Sequence, residues 1–173
     1  MVGMADIKLV GNGDLSWNSG QSDYYVELER FQAVASGVLK SIRVYSGNAC
    51  AVKVAIYADS SGSPGALLAA VNTATSCVNG WNTINISDVT ILSGSYYWLA
   101  HTQQSGTGRV QGKNSGGNCK YTTATFSTFT FPDPAGSGYA SESYTWALAG
   151  WGAESSGSAV IPLFMNQYRQ RWK

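Results

Sequence analysis

The chain has 173 residues, of which 44% are hydrophobic and only 12% are charged, and its formal net charge is +1. The length suits one domain with its own core, and the hydrophobic content excludes a disordered chain. A near-neutral chain without a dense basic stripe is atypical of nucleic-acid binders, and no apolar stretch approaches the roughly 20 residues of a membrane-spanning helix. We therefore expect a single domain over residues 1–173 that neither binds nucleic acid nor inserts into a membrane.

The two ends of the chain carry separate expectations. The start, MVGMADIKLVGNGD, does not place an apolar segment after a basic one, as a signal peptide would. This favours a protein made without export, as virion proteins are, or a chain cut from a larger exported parent. Residues 1–4 are interpreted as a leader or cloning scar, and residues 166–173 as a C-terminal tail.

Alternation of apolar and polar side chains with a period of two runs through most of the chain. It predicts strands, in chain order, at 7–10, 24–33, 39–45, 51–58, 67–71, 82–87, 95–102, 121–131 and 159–165. Clusters of Gly, Ser, Asn and Asp separate these segments, and no segment has a sustained helical repeat. About ten short strands with this turn spacing indicate an all-β fold, an antiparallel jelly-roll β-sandwich.

The stretch DSSGSPG, residues 59–65, separates two predicted strands. Asp59 can close an Asx-type turn, Pro64 fixes its own backbone, and Gly62 can adopt a positive φ. Turn chemistry accounts for the composition, so we predict a corner between strands rather than a loop that grips a ligand.

This corner belongs to a longer pattern over residues 36–102, in which IYADSSGSPGALL is followed by GWNTI and then by ILSGSYYWLA. The pattern resembles a widespread family of extracellular and phage-associated β-sandwich modules. The resemblance implies a β-sandwich fold and a place among adhesins, carbohydrate-active proteins and viral surface proteins. Residues 103–173 lie outside the pattern.

Few residues have the character of a catalytic centre. His101 is the only histidine and lies on a predicted strand, where a packed or surface role is commoner than that of a base. Glu27 and Glu29 share one face of a predicted strand, which indicates a solvated face rather than a carboxylate pair across a cleft. No nucleophile motif such as G-x-S-x-G is present, and we expect no enzymatic activity.

The cysteines and the acidic turns bear on metals and cofactors. Cys50, Cys77 and Cys119 form no CxxC pair, so a zinc site is not expected. Two alternatives stay open for Cys50 and Cys77, a disulfide or buried free thiols, of which the thiols are favoured. We expect no cofactor, with one alternative left open: a structural calcium ion bound by the turns GNGD and ADSSG.

Aromatic residues make up 12% of the chain and concentrate in two places that suit recognition. The candidate surface for a glycan or a partner comprises Tyr139, Tyr144, Trp146 and Trp151. The alternative for Tyr144 and Trp146 is one buried strand face, and Trp81 and Trp98 are expected in the core. The candidate interface residues are Tyr168, Arg169, Arg171 and Trp172, because Trp, Tyr and Arg dominate interface hot spots.

These features favour a non-catalytic protein displayed on a virion surface, as a capsid decoration or adhesion protein of a bacteriophage. Its expected partners are copies of itself, a capsid or other virion protein, and a cell-surface glycan. The alternative is an extracellular carbohydrate-binding module from a larger secreted protein, and a hydrolase comes third.

Overall fold

A computed structural model describes residues 5–13, 19–20, 25–104, 109–114 and 116–155. These residues contain no helix, and therefore none that is long and apolar enough to cross a membrane. Their thirteen strands are β1 (Ile7–Gly11), β2 (Ser19–Gly20), β3 (Tyr25–Gln32), β4 (Gly37–Ser46), β5 (Cys50–Ser60), β6 (Ser63–Cys77), β7 (Gly80–Ile91), β8 (Tyr96–Gln103), β9 (Gln111–Lys113), β10 (Cys119–Thr123), β11 (Ala140–Glu142), β12 (Thr145–Trp146) and β13 (Leu148–Glu154). The predicted all-β class is confirmed, and the strand predicted at 159–165 lies outside the described residues.

The strands form two large antiparallel sheets and one small sheet. The four-stranded sheet has the order β1-β13-β4-β7, the six-stranded sheet β11-β10-β3-β8-β5-β6, and the small sheet β12-β9-β2. Apolar side chains from both large sheets, among them Ile42 and Val44 opposite Val54, Ile56 and Leu99, share one core. This face-to-face packing of two antiparallel sheets is a β-sandwich.

The six-stranded sheet is buried on both faces. Val52, Val54 and Ile56 point into the main core, as the alternation predicts, yet Ala55 and Tyr57 on the opposite face are buried as well. Residues 124–139, here called the covering segment, pack over that second face. Alternation in one strand identifies its two faces, but the residues that cover each face come from distant parts of the chain.

The covering segment corrects the strand predicted at 121–131. The strand stops at Thr123, and the following residues cross the sheet without pairing along it. Lys53 Nζ donates to the carbonyls of Phe126 and Phe129 at 2.7 Å each, and the Tyr57 hydroxyl donates to the Pro132 carbonyl at 3.1 Å. The Phe and Thr residues that resemble a strand in sequence thus cover the second face of the six-stranded sheet.

The corner predicted at residues 59–65 is confirmed as the turn of the β5–β6 hairpin. Ser61 and Gly62 have φ angles of 51° and 83°, which suit a two-residue type I′ turn. The Gly62 amide donates to Asp59 Oδ2 at 3.0 Å. Asp59 also accepts from Arg30 Nε at 2.7 Å and from Trp98 Nε1 at 2.8 Å, so its carboxylate ties together β3, β8 and β5.

Residues 132–158 are rich in Gly and Ser and predict a long irregular loop, whereas strands occupy much of the later part of the described stretch 132–155. β11, β12 and β13 together occupy much of 140–154. Gly150 and Gly152 of β13 allow close packing, because an added Cβ would lie 2.4 Å from a Leu39 side-chain carbon and 2.0 Å from the Val38 carbonyl oxygen, respectively. The high glycine content, which favours a loop in sequence, here permits a central strand.

Candidate functional site

The outer face of the four-stranded sheet carries an exposed aromatic pair. Tyr45 on β4 and Trp81 on β7 are directly opposite in the register, and their rings meet edge to face at 5.5 Å between centroids. Trp81 is 36% exposed, which corrects the expectation that it belongs to the core. Ile84 points inward and lies three positions from Trp81, so the alternation of the strand places Trp81 on the outer face. The sequence pattern is therefore sufficient to predict its exposure.

A second pair lies on the same face. The Arg43 guanidinium stacks over the Trp151 ring at 3.9 Å from its centroid, in an arrangement that favours cation–π attraction. Arg43 Nε and Trp151 Nε1 are shielded from solvent and have no hydrogen-bond partner among the described residues. Because these two atoms are enclosed, a bound partner would contact the exposed ring surfaces rather than these donors. We call Arg43, Tyr45, Trp81 and Trp151 the aromatic patch.

The four residues predicted as a recognition surface are not brought together. Trp146 is fully buried and Tyr144 is 8% exposed, both in the main core, as in the alternative of one buried strand face. Tyr139 packs with the covering segment against the six-stranded sheet. Only Trp151 contributes to the aromatic patch.

The predicted interface residues Tyr168, Arg169, Arg171 and Trp172 lie outside the described residues. Their role at an interface stays a prediction from composition.

A buried acid cluster occupies the inner face at one edge of the six-stranded sheet, under the small sheet. It comprises Glu27, Glu29, Cys119 and Glu142, and Cys119 is directly opposite Glu29 on one side and Glu142 on the other. Glu27 and Glu29 are each 2% exposed, so the prediction of a solvated strand face is wrong. Polar residues at every second position usually mark a solvated face, and here residues more than 100 positions away cover it.

Glu29 is held by donors from β12. The Thr145 hydroxyl donates to Glu29 Oε1, and the Trp146 amide donates to Glu29 Oε2 at 2.7 Å. Burial raises the pKa of Glu29 to about 8, and these two hydrogen bonds oppose the rise. The carboxyl group is therefore mostly protonated at neutral pH, and it joins the small sheet to the large one.

His101 is enclosed between the sheets. It is 2% exposed, its ring meets that of Trp146 at 4.7 Å between centroids, and its Nδ1 has no partner among the residues that the structure describes. Burial lowers the pKa of the imidazole to about 3. A general base must reach the proton that it removes, and this neutral, enclosed ring is placed for packing.

One group of side chains has the spacing of metal ligands. Glu27, Cys119 and Glu142 each place a ligand atom within 4.8 Å of the other two, and a thiolate with carboxylates is a donor set that zinc accepts. Metal binding requires the thiolate, whereas burial, and secondarily the Glu27 carboxylate, raise the pKa of Cys119 well above its usual range. Trp146 Nε1 donates to this sulfur at 3.3 Å. As arranged, the group favours a neutral thiol.

The turns considered for calcium are only partly described. Asp59 of ADSSG already accepts hydrogen bonds from Arg30, Trp98 and the Gly62 amide. Arg30 is the main cause that lowers the pKa of Asp59 to about 2. This carboxylate therefore has a structural role in the hairpin, and Asp14 of GNGD lies outside the described residues.

No protein-family model and no curated protein matches this sequence. The assignment of a function accordingly depends on the geometry of the aromatic patch and of the enclosed polar groups.

Proposed function

We propose that this chain is a non-catalytic capsid decoration or adhesion protein, displayed on the surface of a bacteriophage or similar virion. It acts through interfaces with copies of itself and with a capsid or other virion protein. The observation that carries the proposal is the aromatic patch, where three aromatic rings and one guanidinium share one outward face. Aromatic and Arg side chains are the usual anchors of protein interfaces.

The direction of the chemically reactive groups supports a non-catalytic role. His101, Glu27 and Glu29 all lie between the sheets, each about 2% exposed. The outer face of the four-stranded sheet instead presents stacked rings and neutral side chains such as Thr83 and Asn85. Such a face suits binding by burial of surface.

The strand order supports a jelly-roll topology. One sheet runs β1-β13-β4-β7, and the facing strands of the other run β3-β8-β5-β6, so that the chain passes repeatedly between the two sheets. Jelly rolls recur in viral capsid proteins and lectins. A shared topology does not by itself establish a function, so the proposal depends on the aromatic patch.

Sedimentation velocity of the full chain over a range of concentrations tests the proposal. We expect the wild-type protein to associate, and Trp81→Ala and Trp151→Ala to weaken the association at least tenfold. Leu68→Ala is the matched control, since Leu68 is a comparably exposed apolar residue on the other sheet (38% against 36% for Trp81). A wild-type protein that stays monomeric at every concentration, or an association that ignores the patch variants, contradicts the proposal.

A second candidate, a carbohydrate-binding module of a larger secreted protein, is favoured by the exposed ring of Trp81 among neutral polar neighbours. Sugar rings stack on aromatic faces while placed polar groups fix their orientation. A glycan array with the wild type, Trp81→Ala and Leu68→Ala distinguishes the candidates. Glycan binding that is lost only in Trp81→Ala favours the module.

A further inference from the structure

Two cysteines face each other across the β5–β6 hairpin. Cys50 begins β5, Cys77 ends β6, and the two are directly opposite in the antiparallel register. Directly opposed residues have Cα atoms about 4.5 or 5.5 Å apart, and both values lie within the range that disulfides span, about 4.4–6.8 Å. Both thiols are free in this structure. Because the spacing of the two Cα atoms already suits a disulfide, a bond between the sulfurs requires little movement of the backbone.

The surroundings of the two sulfurs differ. Cys77 is 2% exposed, whereas Cys50 is half-buried and can meet a reagent from solvent. Ser46 Oγ lies 3.2 Å from Cys50 Sγ. The Cys77 thiol, as a hydrogen-bond donor, is the main cause that lowers the pKa of Cys50 below its usual range, with Ser46 adding to it against the effect of burial. Donation of that hydrogen bond, with burial, raises the pKa of Cys77 above its usual range.

We propose that Cys50 and Cys77 form a redox-active dithiol, in which Cys50 attacks an external disulfide and Cys77 resolves the adduct. With oxidised glutathione as the oxidant, the Cys50 thiolate bonds to one glutathione sulfur and expels the other as a thiolate. Cys77 then loses its proton and attacks Cys50 Sγ, which releases the second glutathione. The protein gains one disulfide while one glutathione disulfide is reduced to two thiols.

The third cysteine is a built-in control. Cys119 is 1% exposed, and its register partners on the two adjacent strands are Glu29 and Glu142, not a cysteine. A thiol with neither access nor a resolving partner should not react in the folded protein. The inference is independent of the proposed function, since neither Cys50 nor Cys77 belongs to the aromatic patch.

The test is incubation of the folded full chain with oxidised glutathione at pH 7.5, followed by alkylation of free thiols and peptide mapping by mass spectrometry. We expect a Cys50–Cys77 disulfide and a free Cys119. Closing this loop of about 28 residues should raise Tm by on the order of 10 °C, which dithiothreitol should reverse.

Three variants separate the two roles. Cys77→Ser should stop at a stable glutathione adduct on Cys50, Cys50→Ser should acquire no adduct, and Cys119→Ser should behave as the wild type. Reduced thiols at both positions of the wild type after prolonged incubation would overturn the proposal, as would glutathione on Cys119. Peptide mapping of the wild type decides the question even if one variant fails to fold.

Discussion

Replacement of Glu29 by Gln should change how stability depends on pH. The protonated carboxyl group of Glu29 can accept from the Trp146 amide and donate to the Thr145 hydroxyl, which rotates to become the acceptor. Gln can make the same pair of contacts through its carbonyl and amide groups. The ionised carboxylate must instead remain charged in a site that is 2% exposed, which is costly.

The direction and size of this pH dependence follow from the difference between the pKa of Glu29 in the folded state and in the unfolded state. Burial raises the pKa of Glu29 from its ordinary value of 4.5 to about 8, so the folded state binds a proton that the unfolded state has lost between those values. The stabilisation is complete below pH 4.5 and is lost as the pH rises through about 8, by up to about 5 kcal/mol. Between these two pH values, the free energy of unfolding of Glu29→Gln should increase relative to that of the wild type by about 1.4 kcal/mol per pH unit.

Urea unfolding at pH 5, 6, 7 and 8, followed by tryptophan fluorescence, measures this difference. Glu154→Gln, at an exposed carboxylate on β13, is the control. Its free energy of unfolding should change with pH as that of the wild type does. If the free energy of unfolding of Glu29→Gln also changes with pH as that of the wild type does from pH 5 to 8, then the raised pKa of Glu29 is contradicted.

Three further substitutions test the packing. Asp59→Ala leaves the buried indole N–H of Trp98 without its acceptor and breaks the hairpin cap, so it should cost about 2–4 kcal/mol in chemical denaturation. Gly117→Ala should prevent stable folding, because the new Cβ would lie 1.5 Å from a carbonyl oxygen. Gly136→Ala, whose Cβ would make only an ordinary contact with the Tyr139 hydroxyl at 3.9 Å, should stay within about 0.5 kcal/mol of the wild type. Lys53→Met removes two hydrogen bonds to the covering segment and should increase its proteolysis several-fold, and an unchanged cleavage rate would contradict its role as an anchor.

Local chemistry predicts much of this fold. Inward residues such as Val52, Val54 and Ile56 alternate with a period of two, and that period is fixed by the pleat of a strand. The turn at residues 59–65 depends on Asp59, Ser61 and Gly62, which all lie within the turn itself. Features that depend on a few neighbouring residues can therefore be predicted from the sequence.

Burial of the second face could not be predicted in this way. Glu27 and Glu29 alternate with apolar residues as a solvated face does, and nothing near them in sequence indicates that the small sheet covers them. The same holds for Tyr57, which lies under a segment about 70 residues further along the chain. Coverage is decided by tertiary packing, which overrides a local pattern.

The candidate site shows both outcomes. Trp146 and Trp151 are five residues apart in an aromatic stretch, yet one is fully buried and the other faces outward. Composition alone does not separate them. The outward orientation of Arg43 and Trp81 can be predicted from the sequence. Each lies an odd number of positions from an inward isoleucine, Ile42 or Ile84, so the alternation places both on the outer face.

Hydroxyl-radical footprinting with mass spectrometry, at low and high protein concentration, tests the role of the aromatic patch most directly. If copies of the chain bury this face against each other, oxidation of Trp81 should fall several-fold at high concentration while Leu68 on the other sheet stays equally reactive. Oxidation of Trp81 that stays constant while the protein associates, or protection that appears at Leu68 instead, would contradict the account.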